Sequence, residues 1–453
     1  VSVAYIIFIV ISGVTLLLFL ILKAKISAFI SLLLASVFVG VLAGMPLSAI
    51  TASIQNGMGG TLGFVATVVG LGAIFGQMLE SSGGAESLAR YLVKKFGREK
   101  SSWAMVLTGF LVAIPVFLDV GLIILIPVVY ALSRDTKRSL LYYGIPLLAG
   151  LAVAHSFIPP TPGPIAVADI IHADIGWVII FGIILGLPTA IIAGPVFGKY
   201  ISAKIHINPP SDLSVTHNGF SRSEKDMPSF QLVFFLIAIP LILILIGTFM
   251  NFGVSRMFFT ESFITRILVF LGHPFTALII ATLLAIWLLC VRRGVHKQKI
   301  LELSTKALGP AGIIILITGA GGVLKQILID SGIGKIIAES IAGSSMPVIL
   351  LAWVIAALVR ITQGSATVAM ITAAGIISPV LQVLNPDQPD LALIVIAIAS
   401  GATILSHVND SGFWLVNKYF GMDEKQTLRS WTVMETIIAF CGLGFTLLAS
   451  IFI

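Results

Sequence analysis

The chain has 453 residues, of which 58% are hydrophobic and only 10% charged, with a mean hydropathy of +1.09. A soluble domain carries roughly 25% charged residues, so this composition excludes an ordinary soluble enzyme or binding module. The net charge of +7 does not imply a nucleic-acid partner, because its distribution has a membrane explanation.

Apolar runs of about 20 residues, the length that spans a bilayer, recur along the chain. The first, 3–22, reads as a spanning helix and not as a cleaved signal: no basic segment precedes it and no small-residue cleavage site follows. Spans are predicted next over 26–45 and 60–79. The apolar segment 103–132, centred on AIPVFLDVG, instead reads as two short arms around a polar, glycine-containing tip. It makes either a re-entrant hairpin or two short spans, and both options return the chain to its starting side. Spans over 140–158 and 176–198 follow, then a polar linker at 199–229. The second part repeats the plan, with spans at 230–250, 267–291 and 310–329, a two-armed segment at 346–382 centred on RITQGSATVA, and spans at 391–406 and 431–453.

Basic residues test this layout. Loops around 23–25, 90–100, 134–138, 199–225, 292–306 and 418–429 fall on one side and hold 22 of the 27 Lys and Arg residues, whereas Arg256, Arg266 and Lys335 fall on the other. Basic loops stay in the cytoplasm, so both termini are expected outside. The 103–132 hairpin then enters from the cytoplasm and the 346–382 hairpin from outside. A repeat agrees: GLGAIFGQMLESSG (70–83) aligns with GAGGVLKQILIDSG (319–332) with six identities, and further on His155 falls opposite His407. An odd number of spans per half inverts the second relative to the first, a recurring plan of secondary transporters. The expected fold is therefore an all-α polytopic membrane protein of two inverted repeats, 1–198 and 230–453, each with five spanning helices and a re-entrant hairpin. Its broken helices meet at the membrane midplane. GLGAIFG also resembles part of a dinucleotide fingerprint, but it lacks a βαβ context; close helix packing through small residues explains it better.

An Arg or Asp in the middle of a span costs about 2.5–3.5 kcal/mol, so the polar residues inside the apolar body need a reason. They collect at IPVFLDVG (114–121), HSFIPPTPGP (155–164), RITQGSATVA (360–369) and SHVNDSGFW (406–414). The first and third are hairpin tips. The other two break a helix at similar points of each half, and such breaks persist at membrane depth only where protein or a watery cavity covers the freed backbone. The candidate binding residues are Asp119 and Gly121 at the first tip, and Ser156, Pro159, Pro160 and Thr161 at the first break. At the second tip they are Arg360, Thr362, Gly364, Ser365 and Thr367, and at the second break Asn409 and Ser411. Arg360 with a helix N-terminus suits a carboxylate; its alternative is an ion pair with Asp119 or Asp410. Asp119, Asp410, His155 and His407 are the candidates for carrying a proton, with capping and structural hydrogen bonding as their plainer readings. Lys325 is expected to snorkel or pair internally and His172 to sit at the interface. Cys290 and Cys441 are isolated, no metal-ligand spacing occurs, and no GxxxxGK[ST], HExxH or nucleophile elbow is present, so neither a cofactor nor enzyme chemistry is expected.

At these same residues the sequence resembles the gluconate permease family, gluconate:proton symporters of the wider ion transporter superfamily. GGTLGFVATVVGLGAIFGQMLESSGGAESLA (59–89), IPVFLDVGLIILIP (114–127), IPPTPGPIAVADIIHADIGW (158–177), RITQGSATVAMITAAG (360–375) and SHVNDSGFW (406–414) carry the resemblance, which extends over essentially the whole chain. It implies import of a small sugar acid such as gluconate with protons across a bacterial inner, or cytoplasmic, membrane, and two inverted repeats whose tips and breaks line one site. On charge grounds, Asp119 or Asp410 is expected to carry the proton while Arg360 meets the carboxylate. Thr161 departs from the pattern, standing where many members have histidine. D-serine carriers belong to the same family, and a sodium-coupled carrier and a channel are the neighbouring readings. The sequence leaves the oligomeric state open, homo-oligomers included.

Overall fold

A backbone inside a bilayer must satisfy its own hydrogen bonds, and apolar runs with little interior charge do so as helices. The computed structural model describes residues 3–210, 227–333, 336 and 347–453, with no strand among them. Arg222, Lys225 and Lys335, the middle of the 199–229 linker and the first residue of the 346–382 segment lie outside the described residues.

Two helices, α1 (Val3–Leu22) and α2 (Ala28–Leu42), open the chain, and α3 (Leu47–Ser81) is far longer than the predicted span. An unpredicted helix, α4 (Gly84–Phe96), occupies the basic segment. It begins after Gly83, whose φ of 80° only glycine adopts readily. The 103–132 segment folds as α5 (Ser101–Ala113) and α6 (Leu118–Thr136), two arms around residues 114–117. Next come α7 (Leu141–Phe157), an interruption at 158–161, α8 (Pro162–Ile171) and α9 (Ile175–Lys204).

After the linker stands α10 (Phe230–Ser255). The predicted 267–291 span is divided between α11 (Phe263–Gly272) and α12 (Pro274–Arg293). Its physical cause is local: Pro274 has no N–H for a continuing helix, and the His273 Nδ1 caps the new one by accepting from Phe275 N at 3.3 Å. A long α13 (Lys297–Asp330) crosses α3. The second two-armed segment gives α14 (Val348–Gln363) and α15 (Ala366–Leu384). Then follow α16 (Gln388–Gly401), an interruption at 402–410, α17 (Ser411–Phe420) and α18 (Glu424–Ala449). Eight of the described helical segments, counting 141–171 as one, are long and apolar enough to cross a membrane.

The two interrupted elements lie at the centre. Leu141–Ile171 is 89% buried over its most apolar stretch, against 44% for Phe230–Ser255, and every residue from Leu391 to Gly401 is buried. Around them α1, α2, α10 and α11 turn large apolar side chains outward, among them Phe8, Phe235, Ile242 and Phe263, as a lipid-facing shell does. A smaller core joins α1 and α2 to the crossing of α3 and α13. Close approach there and elsewhere runs through glycine: a Cβ on Gly57 would stand 2.6 Å from the Gly322 carbonyl. At the crossing of α5 and α7, a Cβ on Gly150 would meet the Val106 carbonyl. Backbone cannot swing aside as a side-chain tip does, so Gly150→Ala is expected to cost about 1–3 kcal/mol. The check is thermal unfolding of the purified protein in detergent, and an unchanged midpoint would show that these helices part easily.

Candidate functional site

All four predicted interruptions exist. At the second tip, α14 ends on Gly364, whose φ of 80° is left-handed, and Gly364 N closes on Arg360 O at 2.9 Å, the common glycine terminus of a helix. Ser365 caps α15, its Oγ accepting from Val368 N at 3.4 Å. The tip is thus two residues wide.

Arg360, in the last turn of α14, is 3% exposed. Its Nη1 donates to the Gly364 carbonyl and its Nη2 to Asp410 Oδ2 at 2.5 Å. Asp410 in turn caps α17, Oδ1 accepting from Gly412 N at 3.0 Å, while Ser406 Oγ donates to Oδ2. The last carbonyls of a helix need donors, and the second break supplies them. His407 Nε2 lies 3.0 Å from Ile361 O, and Asn409 Nδ2 donates to Ile361 O at 3.1 Å and Thr362 O at 3.3 Å. Tip and break therefore lock together across about 45 residues of sequence, with Gly364 packed against the Asn409 backbone. Thr362 spends its hydroxyl on its own helix, donating to Val359 O at 2.9 Å and Leu358 O at 3.0 Å. Thr367 is half-buried, and Asn409 and Ser411 are exposed.

In the first half, Asp119 sits exposed in the first turn of α6, and its charge reaches His155 in the last turn of α7. The Phe117 ring meets the His155 ring edge-on, centroids 6.0 Å apart. Ser156 is buried; Pro159 and Pro160 are joined by a cis bond; Thr161 Oγ1 donates to Ile158 O at 2.6 Å, ahead of Pro162 at the start of α8. Gly121 has a packing role, since a Cβ there would lie 2.8 Å from Leu151 Cδ2. The first tip and first break thus meet around Phe117, Pro160 and Thr161.

The candidates gather in two clusters, one per half. No hydrogen bond or ion pair among the described residues joins Asp119, His155 or Ser156 to Arg360, Asp410 or Asn409. Between the clusters, α8, which follows the first break, packs on α15, which follows the second tip. Ser378 Oγ donates to Ile170 O at 2.9 Å, and Gly163 faces Met370. Away from both clusters, Lys325 Nζ pairs with His172 Nε2 at 3.0 Å, the internal pairing open to it from the sequence.

Three features escaped the sequence reading. Gln363, 8% exposed, has both amide atoms buried without a partner, as is Arg360 Nε. Ser406 accepts from Trp431 Nε1 at 2.6 Å, and Thr432 Oγ1 donates to Ser406 O; a π turn at Leu428–Thr432 in α18 carries both residues. Glu435, one turn further on, is 4% exposed. The π turn has no evident sequence signal. Glu435 does: it is an acid inside the apolar run 431–453, and the rule that singled out Asp119 applies to it equally.

The chain is similar to transporters on three counts. It is 43% identical to the low-affinity gluconate transporter of Escherichia coli (strain K12), over 95% of each chain. It is 39% identical to the gluconate permease of Bacillus subtilis (strain 168), over 97% of this chain and 98% of that one. It is 40% identical to the Gnt-II system L-idonate transporter of Escherichia coli (strain K12), over 96% and 97%. Among solved structures, the Alcanivorax borkumensis YdaH transporter superposes with a TM-score of 0.60 over 88% of each chain at 12% identity, a likeness of fold alone. The family model described as GntP family permease matches residues 4–452, and the chain belongs to that family of membrane permeases.

Proposed function

We propose that this permease imports a sugar acid of the gluconate and L-idonate class together with protons, by alternating access around one central site. The observation that carries the reading is the cluster at the second tip and break. A buried guanidinium and an unsatisfied amide stand where two interrupted segments meet, in a chain whose relatives are named as gluconate and L-idonate transporters. Buried polar atoms without partners cost about 1–3 kcal/mol each, and a hydroxylated carboxylate offers what Arg360 Nε and the Gln363 amide lack. In this reading Asp410 is the counter-ion that holds Arg360 until substrate arrives. Asp119, Ser156, Pro159, Pro160 and Thr161 line the same site from the first half, and Thr362, Gly364, Ser365, Thr367, Asn409 and Ser411 from the second.

The two halves, 1–198 and 230–453, act as inverted repeats. Their matched long helices, 35 and 34 residues, cross one another and carry the aligned motifs at their C-terminal ends. The basic loops set both termini outside a bacterial cytoplasmic membrane. Import of a monovalent anion into a negative-inside cell is opposed by about 2.3 kcal/mol per 100 mV, and one accompanying proton makes the transfer electroneutral.

Reconstituted into liposomes, the protein is expected to accumulate labelled gluconate under an inward proton gradient, and unlabelled gluconate and L-idonate are expected to compete while D-serine does not. Uptake that follows a sodium gradient at fixed pH would replace protons with sodium. Flux that never exceeds equilibration would make the protein a channel.

A further inference from the structure

Among the described residues two acids are buried, Glu86 and Glu435. Glu86 is held by Arg90 at 2.6 Å, one helical turn away. Glu435 has no such holder: no donor among the described residues bonds its carboxylate. An uncompensated carboxylate in a low-dielectric interior costs several kcal/mol, whereas the neutral acid does not. The charges that reach Glu435 are those of Arg360 from α14 and Asp410 from the segment after α16; among the described residues, α7, α9 and α16, which also pack on α18, bring no further charged side chain against it.

One cation is thus shared by two acids of unequal standing. Asp410 has its acceptor positions taken by Arg360, Ser406 and Gly412 N. Asp119, at the other tip, is exposed, so a proton on it exchanges with water whether or not substrate is bound. Glu435 is enclosed, and the charge of Arg360 reaches it. We propose that Glu435 carries the proton that accompanies the organic anion, holding it while Arg360 turns from Asp410 to the substrate carboxylate. This rests on the transport reading above and adds its proton site. The charge count closes: bringing a substrate anion to one cation and two acids adds a negative charge, and a proton on Glu435 Oε removes one. The proton arrives from water on one face and leaves to water on the other, and no bond of the substrate changes. Thr403 Oγ1, 3.5 Å from the Glu435 carbonyl, and the Trp431–Ser406–Asp410 chain tie α18 to the second break. Movement of the break is therefore felt at the acid.

The test compares wild type, Glu435→Gln and Glu435→Asp in proteoliposomes, with each variant checked for folding by size exclusion and thermal unfolding. Glu435→Gln is expected to keep exchange of labelled for unlabelled gluconate, which needs no net proton movement. It is expected to lose accumulation under a proton gradient and to lose the alkalinisation of the medium that gluconate uptake causes. Glu435→Asp is expected to keep accumulation with a shifted pH profile. Gradient-driven accumulation by Glu435→Gln with the wild-type pH profile overturns the proposal. So does a folded Glu435→Gln that loses exchange together with accumulation, since the residue then serves binding. If Glu435→Gln does not fold, an unshifted pH profile in Glu435→Asp overturns it. A wild-type protein that exchanges no gluconate overturns the substrate reading instead.

Discussion

Arg360→Lys is expected to raise the KM for gluconate uptake on the order of 10- to 100-fold, because a hydrogen bond to a charged group contributes about 1.5–3 kcal/mol and each 1.4 kcal/mol is roughly a factor of ten. A lysine keeps the charge but presents a point where arginine presents a planar fork. The Arg360 fork already spans two partners, the Gly364 carbonyl and Asp410. Uptake with unchanged KM would remove the guanidinium from the substrate site. The pair also has a stability signature. With Arg360 3% and Asp410 13% exposed, removing either partner alone strands a buried charge, at a cost of about 3–5 kcal/mol. Arg360→Ala and Asp410→Ala are each expected to lower the thermal midpoint, and the double variant to recover part of the loss. Additive losses would mean that the two groups do not depend on one another.

Gly364→Ala is expected to be the most damaging substitution that removes no functional group. The left-handed backbone at φ 80° costs a non-glycine residue about 1–2 kcal/mol. The added Cβ would also run into the Asn409 carbonyl, a further ~1–3 kcal/mol of overpacking with no flexible side chain to yield. Because Gly364 O and the Asn409 amide also hold Arg360 and the end of α14, the displaced tip is expected to lower gluconate uptake by about tenfold to a hundredfold. Wild-type uptake by Gly364→Ala would show that the tip does not work from its contact with the second break.

Each of these outcomes depends on a contact that the sequence only partly foretold. Arg360 was visible as a charge that an apolar segment must accommodate, but its partner was open between Asp119 and Asp410. Asp410 lies 50 residues away, and only the packing of α14 beside the second break chooses it. Gln363 sits inside the RITQGSATVA motif, three residues from Arg360 on the same helix. A glutamine in a polar tip announces nothing until both of its amide atoms are found enclosed without partners. His273 and Pro274 did carry a local warning, since a proline inside an apolar run ends or kinks a helix, yet hydropathy summed over the window ran straight through it.

Local residue chemistry is enough to specify the all-helical membrane body, the two-armed segments and the four interruptions. Those follow from residues acting on their own backbone: apolar length, proline without an N–H, and glycine at a left-handed turn. Tertiary structure alone decided that the interruptions pair within each half, that Asp410 takes Arg360, and that Glu435 stands enclosed beside them. Those outcomes depend on which helix faces meet, and in a bilayer that choice is made by close packing through small residues and by interhelical hydrogen bonds, between segments that hydropathy cannot tell apart.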